Sequence, residues 1–382
     1  MCIRDRPMTA VTLDAVQAAL ATVHDPEIHR PITDLGMVDS VDIADDGHVS
    51  VKILLTIAGC PMQSALREGV TTAVSRVAGV TGVDVTLGVM TDEQRREMRQ
   101  KLQGPGAQKE ILFNKPGNRT TIYAVTSGKG GVGKSSTTVN LAVTLAQRGF
   151  KVGVLDADIY GHSIPPMLSS TQPPTKVDDM MMPPEAHGVK CISIAQFTAG
   201  NAPVVWRGPM LHRALQQFLT DVYWGDLDFL LLDLPPGTGD IALSIPSLLP
   251  NSQLLIVTTP QTAAAEVAER SGMMAKQTRQ NVAGVIENMS WMELPDGSKV
   301  EMFGSGGGMT VAMDLTRILG YRVNVLGQVP MDVRLREGGD EGTPIVLTHP
   351  ESTVAQTFNS IVDQLLQQRQ SLVGKSLGIN PN

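Results

Sequence analysis

Cysteine is scarce in this chain: Cys2, Cys60 and Cys191 are the only three in 382 residues, and no spacing pairs them. That excludes a disulfide framework and points to the reducing cytosol. The seven histidines show no metal-ligand spacing, and His24 and His29 read as surface or loop residues. No apolar run approaches the length that spans a bilayer, and no secretory signal pattern opens the sequence, so no membrane association is expected. Positive charge is outnumbered, 31 Lys and Arg against 38 Asp and Glu for a net charge of −7, which argues against nonspecific nucleic-acid binding as the main task.

Length and a 42% hydrophobic content leave room for two domains with ample core. Residues 1–8 do not resemble the start of a folded unit. They are expected to be either an extraneous leader with Met8 as the true start or an ordinary frayed terminus. Residues 9–102 read as a small α+β module: a helix over Leu13–Val23, a strand over Val49–Ile57, a helix over Met62–Val77 and a strand over Gly82–Val89. Residues 103–118, punctuated by Gly104-Pro-Gly106 and Lys115-Pro-Gly-Asn118, read as a linker. Residues 119–371 alternate strands with helices, and residues 372–382 form a polar tail. Strands are expected at Ile122–Ser127, Lys151–Asp156, Cys191–Ala195, Phe229–Asp233, Gln253–Thr258, Val282–Glu287 and Val323–Val329. The pattern predicts an α/β, mostly parallel, doubly wound sheet covered on both faces, with ligands at the carboxyl ends of its strands.

The chemistry concentrates in Ser127-Gly-Lys-Gly-Gly-Val-Gly-Lys-Ser-Ser136. Gly128, Gly133, Lys134 and Ser135 satisfy G-x-x-x-x-G-K-[ST], between the β-prone run Thr121–Thr126 and a helix over Val139–Gln147. This strand–loop–helix context marks a phosphate-binding loop. Backbone amides over Gly128, Lys129, Gly130, Gly131, Val132, Gly133, Lys134, Ser135 and Ser136 would cradle nucleotide phosphates. Lys134 would neutralise the β and γ oxygens, and Ser135 would hold Mg²⁺. Lys129 is one lysine more than the motif requires.

Leu230-Leu-Leu-Asp-Leu234 is a strand ending in an acid, and Asp233 is the second candidate Mg²⁺ group; the alternative is an aspartate capping the next turn. Pro235-Pro-Gly-Thr-Gly-Asp240 would sense the γ-phosphate, with Asp240 also a candidate N-cap. Asp156 and Asp158 end another strand, where the backbone can turn both toward the phosphates. Asp158 would position the attacking water, or else is a solvated loop acid.

Taken together, Lys-Gly-Gly-Val-Gly-Lys-Ser (129–135), Asp156-Ala-Asp-Ile-Tyr-Gly161, Val205-Trp-Arg-Gly-Pro-Met210, Asp233-Leu-Pro-Pro-Gly-Thr-Gly-Asp240, Thr259-Pro-Gln261 and Glu287-Asn-Met-Ser290 resemble the Mrp/ApbC group. These are deviant-Walker (SIMIBI-class) P-loop ATPases that act as iron–sulfur cluster carriers. Asp25-Pro-Glu27, Asp34-Leu-Gly-Met-Val38 and Gly59-Cys-Pro-Met62 are similar to the MIP18-type module often fused ahead of them. The resemblance implies a cytoplasmic homodimer that hydrolyses ATP and serves apoprotein clients alongside iron–sulfur assembly proteins. It makes Lys129 a signature lysine acting on the partner protomer's nucleotide. It also implies that Asn288 recognises adenine with the Val329-Pro-Met-Asp332 loop beside the base, favouring ATP over GTP. Cys60 becomes a candidate iron–sulfur ligand, its alternative being a small buried hydrophobe.

One family feature is missing. Cluster carriers of this group have Cys-x-x-Cys just before a Phe-Gly-x-Gly-Gly-Gly run, so that two protomers supply four thiolates. Here those positions hold Leu294 and Gly297 ahead of Phe303-Gly-Ser-Gly-Gly-Gly308. Three readings follow: a cluster held through Cys60 or Cys191, assistance without ligation, or a switch for another cargo. From other classes come a MinD/ParA-like spatial switch and a non-hydrolysing, ATP-locked scaffold. The first would need a basic amphipathic terminal helix or a basic face, whereas Thr353–Leu372 reads as a packed helix. Met180-Met-Met182, in a proline-rich and mobile stretch, is a candidate interaction surface.

Overall fold

The computed structural model describes residues 11–56, 62–103, 110–158, 161, 163–177, 180–197, 208–237, 239–261 and 264–372. The chain forms two units. One takes in Met1–Lys109, Thr175–Met182 and Asp221–Gly225; the other takes in Glu110–Pro174, Pro183–Thr220 and Asp226–Asn382.

The first unit runs α1 (Leu13–Leu20), β1 (Val38–Ile43), β2 (His48–Leu55), α2 (Gln63–Ser75), β3 (Gly82–Val89) and α3 (Asp92–Gln103). The Thr12 hydroxyl caps α1 by accepting from the Ala15 amide. β2 alternates, placing Val49, Val51 and Ile53 inward; it pairs antiparallel with β1 and parallel with β3. β1 and α3 were not legible in the sequence. The strand Val-Asp-Ser-Val-Asp-Ile is half polar and exposed, and α3 inserts one fully buried side chain, Met98.

The second unit opens with a 3₁₀ turn at Leu112–Asn114, inside the stretch read as a linker. The chain then runs β4 (Thr121–Ser127), α4 (Lys134–Gln147), β5 (Val152–Asp156), α5 (Ile164–Met167), β6 (Thr175–Val177), β7 (Met180–Met182), β8 (Glu185–Ala186), β9 (Val189–Ser193), α6 (Gly208–Thr220), β10 (Phe229–Asp233) and α7 (Asp240–Leu248). It continues with β11 (Gln253–Thr258), α8 (Ala264–Thr278), β12 (Asn281–Glu293), β13 (Lys299–Val300), α9 (Gly307–Leu319), β14 (Val325–Met331), α10 (Val333–Glu341), α11 (Ile345–Thr348) and α12 (Thr353–Leu372). Gly239, not Asp240, occupies the cap position of α7.

Nine strands form the main sheet in the order β13-β12-β11-β4-β10-β5-β9-β8, with β14 also on β12. All pairs are parallel except the short edge strands β13 and β8. The seven expected strands are present, and the central ones are buried throughout, as continuous apolar runs in a doubly wound sheet require. Helices α4, α11 and α12 pack together in one row and α6, α7, α8 and α9 in another. α12 buries Val354, Phe358, Ile361 and Leu365, so its apolar face is core.

The β6–β7 hairpin corrects one expectation. Met180, Met181 and Met182 are buried rather than displayed, and Val177, Met180 and Met182 join the first unit's core with Val16, Leu20 and Ile32. The Thr175 hydroxyl donates to Glu27 Oε2 at 3.1 Å within that same unit. The hairpin belongs to the first unit although its sequence lies within the second.

Candidate nucleotide site

Parallel register brings the acids to one edge of the sheet. Asp233 pairs with Asp156 on β5 and with Val125 on β4, immediately before the phosphate-binding loop. Gly131 and Gly133 adopt φ of 78° and 80°, the left-handed region that glycine enters without strain. Gly133 is also crowded: a Cβ there would lie 2.1 Å from Asn288 Nδ2. Gly128 is crowded too, since its Cβ would lie 2.3 Å from Val267 Cγ2 on α8.

Lys134 opens α4, with its ammonium 2.7 Å from Asp233 Oδ2 and 3.6 Å from Asp158 Oδ2. The Ser135 hydroxyl donates to Asp233 Oδ2 at 2.6 Å, and Thr138, one turn along α4, donates to Oδ1 at 2.8 Å. Burial pushes the Asp233 carboxyl above its ordinary range, against the pull of Lys134, Ser135 and Thr138. Thr138 was missed in the sequence; its position four residues after Lys134 on one helical face was the available signal.

The two acids of the β5 end part company. Asp158 accepts from the Gly161 amide at 3.1 Å and faces Lys134. Asp156 instead accepts from the Ser193 hydroxyl at 3.0 Å and from the amides of Asp158 and Ile164. It braces the loop rather than facing the phosphate site, which corrects the expectation that both acids turn toward the phosphates. Burial, with Asp233 adding, pushes its carboxyl up to about 7.

Around these groups lies a cavity of about 760 Å³, lined by Gly130, Lys134, Ser135, Asp158, Pro235 and Gly239 among others. A second cavity of about 910 Å³ adjoins it at Gly133 and Ser136, with Asn288, Met289, Asp332 and Arg334 in its wall. Asn288 Nδ2 donates to the Val132 carbonyl at 2.9 Å. A carbonyl only accepts, so this bond fixes the amide and leaves Oδ1 as the free acceptor among the described residues. Lys129 is exposed, its ammonium bonded to Gln261 Oε1.

The donor set at Ser135 and Asp233, a hydroxyl and a carboxylate sharing one spot, suits a hard cation such as Mg²⁺. No comparable set exists for iron: among the described residues no group of three or more His, Cys, Asp or Glu could hold a metal ion. Cys191 is fully buried on β9, and burial, with Asp156 adding, pushes its thiol well above the ordinary range, which corrects its candidacy as a cluster ligand. Cys60 lies outside the described residues, as do Val205–Arg207 of the Trp-Arg-Gly motif. Leu294 and Gly297 sit in the turn between β12 and β13, where the Leu294 amide donates to the Ser298 carbonyl, and Leu294 lines the larger cavity. Glu287, quoted in a motif but given no role, accepts from the Gly308 amide at 2.6 Å and caps the start of α9.

Residues 118–366 match the family described as NUBPL iron-transfer P-loop NTPase, and residues 13–86 match one described as iron-sulfur cluster assembly protein. A Mycobacterium bovis protein named iron-sulfur cluster carrier protein is 59% identical over 367 residues, 96% of each chain. One of the same name from Deinococcus radiodurans is 42% identical over 358 residues, covering 93% of this chain and 95% of that one. A nucleotide-binding protein from Archaeoglobus fulgidus, solved in complex with ADP, superposes with a TM-score of 0.50 at 35% identity, over 66% of this chain and 92% of that one. The chain belongs to the NUBPL iron-transfer P-loop NTPase family, among relatives named iron-sulfur cluster carrier protein.

Proposed function

We propose that this chain works as a cytosolic homodimeric ATPase that couples ATP binding and hydrolysis to delivery of iron–sulfur clusters to apoproteins. The observation that carries the reading is the convergence of Lys134, Ser135, Asp158 and Asp233, in a chain so closely related to named carriers. ATP phosphates enter the smaller cavity and compete with Asp233 and Asp158 for the Lys134 ammonium. The amides of residues 128–136 curl around the β-phosphate. Asp158, relieved of Lys134, orients water in line with the γ-phosphate. The water oxygen bonds to phosphorus as the bond to the bridging oxygen breaks; the bonding electrons leave with ADP, and the proton goes to the phosphate product. Ser135 and Asp233 would hold Mg²⁺, which would supply charge neutralisation to the phosphates when bound.

The adenine ring occupies the larger cavity. The free Oδ1 of Asn288 accepts from the adenine amino group, a match that guanine, with a carbonyl there, fails to make. Lys129 reaches the nucleotide of a second copy, adding positive charge in trans as an arginine finger does.

The cluster is cargo. Leu294 and Gly297 bring no thiolate, and Cys191 is sealed in the core. Cys60 is the remaining candidate of the thiols weighed above. Phosphate release by the wild type and by Lys134→Ala tests the ATPase. Turnover in the first and none in the second is expected; none in either favours an ATP-locked scaffold.

A further inference from the structure

Lys129 occupies an unusual place in its loop. Ser127 before it and Gly130 and Gly131 after it line the phosphate cavity, but Lys129 does not. Both ends of the residue have a partner. Its carbonyl accepts from the Ser127 hydroxyl at 3.0 Å, and its ammonium donates to Gln261 Oε1.

The two residues that precede Gln261 are closely packed. The glutamine follows Thr259 and Pro260 beyond the end of β11, whose Val257 pairs with Ser127 of β4. Beneath that turn lies the glycine start of α9: a Cβ on Gly307 would come within 2.5 Å of the Thr259 carbonyl oxygen and 2.8 Å of Pro260 Cα. The next residue, Gly308, is tied to Glu287 of β12 through its amide. The glutamine therefore follows directly on packed backbone, while the lysine it holds has a long, flexible stem and a strongly hydrated charge.

We infer that Gln261 is a positioning residue for Lys129: its amide oxygen holds the ammonium outside its own phosphate site and aimed at the nucleotide of a second copy. The inference rests on the reading of Lys129 as acting across a homodimer. A neutral acceptor suits this task. It narrows the rotamers of the lysine without cancelling its charge, whereas a carboxylate there would form an ion pair competing with the partner's phosphates.

The test is a double-mutant cycle on steady-state phosphate release by the full-length protein. Gln261→Ala, and the similarly sized Gln261→Met that lacks an acceptor, should lower kcat about tenfold with the KM for ATP unchanged within about twofold. Lys129→Ala should lower kcat at least as far. Adding Gln261→Ala to Lys129→Ala should change nothing more, because the glutamine then has no lysine to position. Wild-type kcat in both Gln261 variants, or a further fall in the Lys129→Ala background, would overturn the inference and leave the role of Lys129 intact. Wild-type turnover by Lys129→Ala would instead remove the reading beneath it, and the inference with it.

Discussion

The Lys134 ammonium lies 2.7 Å from Asp233 Oδ2, and Asp233 is fully buried, so the lysine proposed to meet phosphate also neutralises a carboxylate sealed in the sheet. Breaking such a pair from the lysine side strands the acid. In protein stripped of nucleotide and divalent ions, Lys134→Ala should cost ~3 kcal/mol at pH 8. At pH 5.5 the loss should shrink, because a carboxyl already raised by burial can protonate. Urea unfolding at the two pH values reads this directly; an equal loss at both would show that Asp233 takes up no proton between them.

Gly133 combines a left-handed backbone, φ 80°, with Asn288 Nδ2 at 2.1 Å from any added Cβ. Gly133→Ala should weaken binding of a nonhydrolysable ATP analogue by at least about tenfold, consistent with ~1–3 kcal/mol for overpacking. Adding Asn288→Ala removes the clash but not the backbone strain. Calorimetry on both variants should find apparent structural stability partly restored in the double variant while adenine selectivity is lost.

Asp156 supplies the pH dependence. Its carboxyl moves from an ordinary 3.8 up to about 7, so the folded state holds a proton that the unfolded chain releases. The associated stability is fully present below pH ~4 and is lost as pH rises through ~7; at ~1.4 kcal/mol per pKa unit the full loss is on the order of 4 kcal/mol. Asp156→Asn cannot ionise. Stability measured by urea between pH 5.5 and 8.5, in chelator, should fall for the wild type and stay flatter for the variant. Parallel profiles would contradict the assignment.

Cys191 should be silent. Its thiol is fully buried and raised well above the ordinary range, so a thiol reagent should modify it only after denaturant is added. Iron bound after anaerobic reconstitution should be the same in Cys191→Ala as in the wild type. Loss of iron in that variant, without loss of fold, would return Cys191 to the ligand set.

The sheet and the phosphate loop were legible because their signals are local. Leu230–Leu232 and Leu254–Val257 are unbroken apolar runs, and the loop motif sits between a strand and a helix. Three things were not legible. The β6–β7 hairpin places Val177 and Met182 in one core with Val16 and Leu20, residues far away in the chain, and a methionine run carries no sign of which core it joins. The charged helix α3 is held by Met98 and by Arg95 donating to the Met90 carbonyl, too few apolar positions to make a stripe. Asp156 and Asp158 are identical in type and one residue apart, yet Ser193 on the neighbouring strand takes the first while Lys134 faces the second. Register decides between them, and register is a property of the assembled sheet.

An ATPase that delivers clusters should show itself in a cluster-transfer assay. The wild-type protein and Lys134→Ala are reconstituted anaerobically with iron and sulfide, then mixed with an apoprotein acceptor with and without ATP and Mg²⁺. The acceptor's visible absorbance and the released phosphate are followed together. Both proteins should bind iron, and the wild type alone should show ATP-dependent transfer with phosphate release. Wild-type phosphate release with no iron bound and no cluster transferred would contradict it.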